Sequence, residues 1–242
     1  LKLYCDDNGI EFMSTPFDEK AVDELYDLGV KRFKIAGFEC TDPRFVKYVA
    51  STKLPLIISL GIGTNLQTMD KIKKWIFEVN DNLNITFLHC NNAYPTPHQD
   101  INLGQMKNMI EYVSSDNVKI GLSDHTEGIL TPPIAVSLGA QIIEKHYTIN
   151  KNLPGPDHPF AIEPNELIDM VKNIRLVETM MGVKSSKYTS SEQGFSMARR
   201  SVVAKKNISN GEILTEDNIT TKRPLLKNSI PASNYYEMLG KK

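Results

Sequence analysis

The chain has 242 residues, 40% hydrophobic and 24% charged, which is the composition of a protein able to bury a full core and excludes wholesale disorder. Lys and Arg number 28 against 29 Asp and Glu, so the formal net charge is −1 and the electrostatic footprint of a general nucleic-acid binder is absent. No apolar run approaches the ~20 residues that cross a bilayer, no signal peptide opens the chain, and three scattered cysteines give neither a disulfide framework nor zinc spacing; the expectation is a soluble, cytoplasmic protein with no nucleic-acid or membrane partner.

Residues 1–7 read as the tail of a helix that Asn8-Gly9 closes with a left-handed cap, and a tail without its helix predicts further sequence before Leu1. Six short β-branched or apolar runs follow, at 10–14, 31–36, 54–60, 85–89, 118–122 and 141–145. Between them lie helical patterns. Leu66, Met69, Ile72, Trp75, Ile76 and Val79 recur at three- and four-residue steps, as do Leu103, Met106, Met109, Ile110 and Val113. Several strands are apolar nearly throughout, and alternating βα units predict a parallel sheet. Six such units fit an open doubly wound sheet or the last six of an eight-stranded (β/α) barrel. Thr15, His89, Asn92, Ser123, His125 and His146 all fall at or just past strand C-terminal ends, and no G-x-G-x-x-G follows the first strand. Sites gathered from many strand ends favour the barrel.

Glu163-Pro164 opens a last long helix that Gly182 ends, with Leu167, Met170, Val171, Ile174 and Met181 on one face. Residues 184–196, rich in Ser, Lys and Gln, read as a linker. A short strand at 201–204, a turn at Ser209-Asn210-Gly211-Glu212 and an extended stretch at 213–224 then form a small β-rich module. The expected division is a barrel over 1–182, a linker over 183–197 and the module over 198–242.

His125 and His146 stand at the ends of neighbouring strands, each beside an acidic residue. That arrangement suits two imidazoles on one divalent ion; the alternative is that each histidine caps a strand by hydrogen bonding. Lys34 sits inside the apolar run Phe33-Lys34-Ile35-Ala36, where an ammonium needs an anion, a phosphate or carboxylate with Glu39 nearby, unless it snorkels from an edge strand. Pro154-Gly155-Pro156-Asp157-His158 and Asn92-Ala93-Tyr94-Pro95-Thr96-Pro97 are stiff loops that offer Asp157, Asn92 and Tyr94 to a polyhydroxylated ligand or serve as plain turns. Cys90 reads as a small buried apolar residue rather than a nucleophile, and Lys222-Arg223 as a solvated pair.

Taken in order, Ser14-Thr15-Pro16-Phe17, Phe33-Lys34-Ile35-Ala36, His89-Cys90-Asn91-Asn92-Ala93-Tyr94-Pro95, Ser123-Asp124-His125-Thr126, Glu144-Lys145-His146 and Pro154-Gly155-Pro156-Asp157-His158 resemble the sialic acid synthase family, the phosphoenolpyruvate-dependent N-acylneuraminate-type synthases. Ala198-Arg199-Arg200-Ser201 and Lys222-Arg223-Pro224 resemble the start of that family's C-terminal antifreeze-like (SAF) domain. The resemblance implies a (β/α)8 TIM-type barrel, here without its first two βα units, followed by an incomplete SAF module. It implies condensation of phosphoenolpyruvate with an open-chain N-acylated amino sugar, giving a nine-carbon 2-keto acid and phosphate. By the same resemblance His125 and His146 are the ligands of a divalent metal, Mn2+ first, with Mg2+ or Co2+ as alternatives. Thr15, Lys34, Asn92 and Ser123 match phosphoenolpyruvate-binding positions, Glu39 and Glu144 match proton-transfer carboxylates, and Tyr94 and Asp157 match positions facing the sugar. Arg223 matches an arginine that reaches the partner subunit's site, which implies a domain-swapped homodimer.

Two turns depart from the family pattern. Ala36-Gly37-Phe38-Glu39 stands where the family has Ala-Ser-Gly-Glu, and Leu225-Leu226-Lys227 replaces a Gly-Asn-Gly turn. Those departures leave room for two other readings: another metal-dependent barrel chemistry, aldolase or isomerase, and a non-catalytic remnant that acts as a binding module.

Overall fold

The computed structural model describes residues 1–113, 116–182 and 189–242, which divide into two compact units, Leu1–Gly182 and Val183–Lys242. Helix starts in the first unit follow their capping chemistry. Asp18 accepts from the Ala21 N–H ahead of α2 (Glu19–Asp27), Asp42 accepts from Arg44 and Phe45 ahead of α3 (Pro43–Ser51), and Asn65 accepts from Thr68 ahead of α4 (Leu66–Phe77). Prolines in the first turn open α6 (Thr131–Leu138), and α7 (Pro164–Met181) starts behind a Glu163 N–H that donates to Glu166 Oε2 at 2.9 Å. The remaining α-helices of this unit, among the described residues, are α1 (Lys2–Asp7), which ends before Gly9 at φ 68, and α5 (Leu103–Tyr112).

Five strands alternate with these helices: β1 (Phe33–Ile35), β2 (Leu56–Leu60), β3 (Ile85–Cys90), β4 (Val118–Asp124) and β5 (Ile143–Lys145). They form one parallel sheet in the order β1-β2-β3-β4-β5. A strictly sequential order means every right-handed crossover turns the same way, so the helices share one face and the order never reverses. A doubly wound sheet needs that reversal. Curling is visible directly: Lys34 of β1 and Glu144 of β5, on opposite edge strands of the sheet, approach to 3.2 Å between Nζ and Oε2. The sheet is part of a (β/α) barrel, and its concave face is the lumen.

The run at 10–14 is corrected: it forms no ladder, and the sheet begins at Phe33 instead. Extended propensity is local, whereas a strand requires a partner backbone in register. Residue parity sorts the other strands. Phe33, Ile35, Leu56, Ile58, Ile85, Phe87, Ile120 and Leu122 join Val22, Val46, Met69, Ile72 and Met106 in the core between sheet and helices. Each fully buried side chain of this size contributes roughly 1.5–3 kcal/mol. The alternate residues, Lys34, Ser59, Thr86, Ser123 and Glu144, lie outside that core and include most of the sheet's polar side chains.

In the second unit, β6 (Ser201–Ala204) and β7 (Ile219–Lys222) pair antiparallel, and α8 (Tyr235–Met238) follows. The extended stretch at 213–224 contributes only those four residues to the ladder. Its first part is a loop folded around buried Asn218, which accepts from the Thr215 N–H and donates to the Ile213 carbonyl. Of the segment read as a linker, 183–188 lies outside the described residues, while Gln193–Ala198 is a 3-10 helix.

Candidate active site

A cavity of about 340 Å³ opens at the C-terminal end of the strands, lined by Thr15, Lys34, Ser59, Cys90, Asn92, Tyr94, Ser123, His125, Glu144 and His146 together with Phe17 and the 36–38 turn. Strand register assembles its floor. Cys90 of β3 lies opposite Ser123 of β4, which lies opposite Glu144 of β5, so three lumen-facing side chains share one rung. Ser123 Oγ donates to Glu144 Oε1 at 2.6 Å, and Lys34 faces the other carboxylate oxygen. Lys34 is 6% exposed and paired, so it is an interior cation and not a snorkelling one.

The rim is equally constrained. Asn92 Oδ1 accepts from the Ile62 N–H at 3.0 Å, and a Cβ on Gly61 would press on that oxygen, so a larger residue there would displace the Asn92 side chain. Gly37 packs against Gly61 from the other side. The His125 Nδ1–H donates to the Asn91 carbonyl at 2.6 Å, which leaves its Nε2 lone pair free. Burial holds His125 below the usual imidazole range, in the neutral form that ligates metals. The rings of His125 and His146 stand 5.3 Å apart at 70°, with Tyr94 4.2 Å from the first and Phe160 5.0 Å from the second. Asp157 reaches His146 Nδ1 at 3.6 Å.

Eight of the eleven residues singled out from sequence line this one cavity, and Asp157 touches it through His146. Glu39 lines an adjoining cavity with Asp18, Asp42 and Arg44, and one of its carboxylate oxygens is buried without a hydrogen-bond partner. Phe17 borders both spaces. Arg223 belongs to the second unit, in the loop after β7. His89, grouped above with the strand-end polar residues, turns away: its Nε2 bonds the Ile101 carbonyl at 2.7 Å.

One residue escaped the sequence reading. Ser59 is 2% exposed, and its hydroxyl in the cavity wall has no partner, so it is a donor held ready for a ligand. Its signal was a lone polar residue in the run Leu56-Ile57-Ile58-Ser59-Leu60, the same signal that marked Lys34. Cys90 lines the same cavity. Burial pushes its thiol up to about 11, so at pH 7.5 on the order of one molecule in a few thousand carries a thiolate. Iodoacetamide at that pH is therefore expected to label partly exposed Cys5 and leave Cys90 unmodified in the folded protein; peptide mapping that finds Cys90 alkylated first would contradict this.

Among the described residues no group of three or more His, Cys, Asp or Glu is placed to hold a metal ion. The His125 and His146 rings converge, however, and their nitrogens fit part of a coordination shell for a borderline divalent ion, the rest falling to water or ligand oxygen.

The NeuB family model matches residues 1–186, and the SAF domain model matches 199–242. The chain is 40% identical over 242 residues to the N,N'-diacetyllegionaminic acid synthase of Campylobacter jejuni, covering all of this chain and 71% of that protein. It is 44% identical over 225 residues to an uncharacterized protein of Methanocaldococcus jannaschii, covering 93% of this chain and 65% of that one. A crystal structure of the N-acetylneuraminic acid synthetase of Leptospira borgpetersenii, in complex with citrate, superposes with a TM-score of 0.74 at 29% identity over 80% of this chain and 66% of that one. The chain thus spans about two thirds of the length of its relatives.

Proposed function

The chain belongs to the NeuB family, and on that premise we propose that it condenses phosphoenolpyruvate with the open-chain aldehyde of an N-acylated amino sugar to give a nine-carbon 2-keto sugar acid and phosphate. The observation that carries this reading is the convergence of an interior cation, an adjacent carboxylate, four hydroxyl or amide donors and two imidazoles on one cavity. Phosphoenolpyruvate has a carboxylate and a phosphate, and Lys34, with Ser123, Ser59, Asn92 and Thr15 around it, supplies a charge and fixed donors for them. Glu144 holds Lys34 in place and stands ready to move a proton; Glu39, with its unpartnered oxygen, is the second such carboxylate.

In the reaction the enol carbon of phosphoenolpyruvate bonds to the aldehyde carbon, water adds at the carbon bearing the phosphate, and phosphate leaves as the ketone forms. Rigid strand ends bring the reacting carbons within about 3.5 Å, which is the main geometric demand. A divalent metal on His125 and His146, Mn2+ before Mg2+ or Co2+, supplies Lewis-acid polarisation of the aldehyde oxygen when bound. Tyr94 and Asp157 orient the sugar, and Arg223 reaches the site of the second copy in a domain-swapped homodimer. Three unpaired cysteines agree with a reducing, cytoplasmic setting.

Phosphate release measured with phosphoenolpyruvate, Mn2+ and a panel of N-acylated hexosamines tests the proposal. Release is expected only when sugar and metal are both present. Sugar-independent release, or no release and no phosphoenolpyruvate binding by calorimetry, overturns it.

A further inference from the structure

The β4–β5 ladder has three rungs, Leu122↔Ile143, Ser123↔Glu144 and Asp124↔Lys145, and stops one residue short of the two histidines. Beyond it the His125 carbonyl accepts from Thr96 and the His146 carbonyl from Ile162, so no backbone bond joins the two histidines to each other. At the last rung the side chains turn away from the cavity and form an ion pair, Lys145 Nζ to Asp124 Oδ2 at 2.7 Å, with side-chain exposures of 4% and 0%. Asp124 Oδ1 accepts from the Thr126 N–H at 2.9 Å and the Thr126 hydroxyl at 2.8 Å, Lys145 also donates to the Thr126 carbonyl, and Thr126 Oγ1 meets Thr131 Oγ1 at 2.9 Å. His125 is therefore flanked on both sides by residues tied to Lys145, and Lys145 is the immediate neighbour of His146.

A dry ion pair is a weak source of net stability, since apolar residues of the same volume serve as well. Its effect here is positional. We propose that Asp124 and Lys145 are positioning residues that act as a side-chain rung, setting the separation and aim of the His125 and His146 imidazoles and hence the affinity for a divalent ion. The inference rests on the reading that these imidazoles hold a metal, and it adds residues that never touch the ion.

Mn2+ affinity by electron paramagnetic resonance, the visible absorption of the Co2+-loaded protein and phosphoenolpyruvate binding are measured for the native chain and for D124N/K145M, which removes both charges together. The expected result is a folded double variant with phosphoenolpyruvate affinity unchanged, Mn2+ binding weakened about 10- to 100-fold and an altered Co2+ spectrum. If the double variant does not fold, Thr131→Val, which loosens Thr126 and keeps the pair, carries the comparison, with a smaller loss of Mn2+ affinity in the same direction. Unchanged Mn2+ affinity and Co2+ spectrum beside a lowered melting temperature would mean the pair is structural only, and the inference fails. Absence of Mn2+ uptake by the native chain overturns the metal reading itself, a separate result.

Discussion

Lys145→Met alone is expected to destabilise the first unit by about 3–5 kcal/mol, because it leaves a buried carboxylate without its counter-charge. Asp124 is fully enclosed, so water cannot replace the ammonium at 2.7 Å, and the two bonds from Thr126 do not neutralise the charge. Asp124→Asn strands the ammonium in the same way and belongs in the same range. D124N/K145M, with no orphan charge, should recover much of the loss, so the two singles and the double make a cycle with a large favourable coupling. Urea unfolding followed by far-UV circular dichroism measures all three. A Lys145→Met cost below 1 kcal/mol would show that the pair is reached by water.

Lys34→Met is expected to lower kcat/KM for phosphoenolpyruvate by about 10²- to 10³-fold, the effect of losing a fixed electrostatic donor in a water-poor site. Among the described residues no other Lys or Arg lines the cavity: the rest of the lining offers hydroxyls, an amide, a thiol, the Glu144 carboxylate and aromatic rings. Part of the loss is indirect, because Glu144 would keep only its bond from Ser123. Lys34→Arg should not rescue, since a planar fork does not fit where a point charge sits 3.2 Å from one carboxylate oxygen. Steady-state phosphate release and calorimetry separate the terms. A loss under tenfold in both would remove Lys34 from the substrate site.

Much of the fold was legible because the helix faces and the β-branched runs are local signals; β2, β3, β4 and β5 fall within the runs read as strands or extend them by one or two residues. What was not legible depends on parity and closure. Reading the strands as apolar throughout hid the fact that alternate positions face different surroundings, so Ser59 passed unnoticed and His89 was grouped with residues it does not face. The run at 10–14 has the right composition for a strand, but pairing is a property of two segments and composition describes one. Likewise Asp124 and Lys145 were visible only as neighbours of the histidines, and their partnership exists because two strands lie in register. The meeting of Lys34 with Glu144 required the sheet to bend until its first and last strands faced one another.

That same alternation has an evolutionary consequence. Substitutions at 34, 59, 123 and 144 change what the lumen binds without disturbing Phe33, Ile58, Leu122 or their helical neighbours, and the reverse holds for the packed rows. Ligand contacts and folding are written on interleaved letters of the same strands, so the lumen can vary while the scaffold stays still.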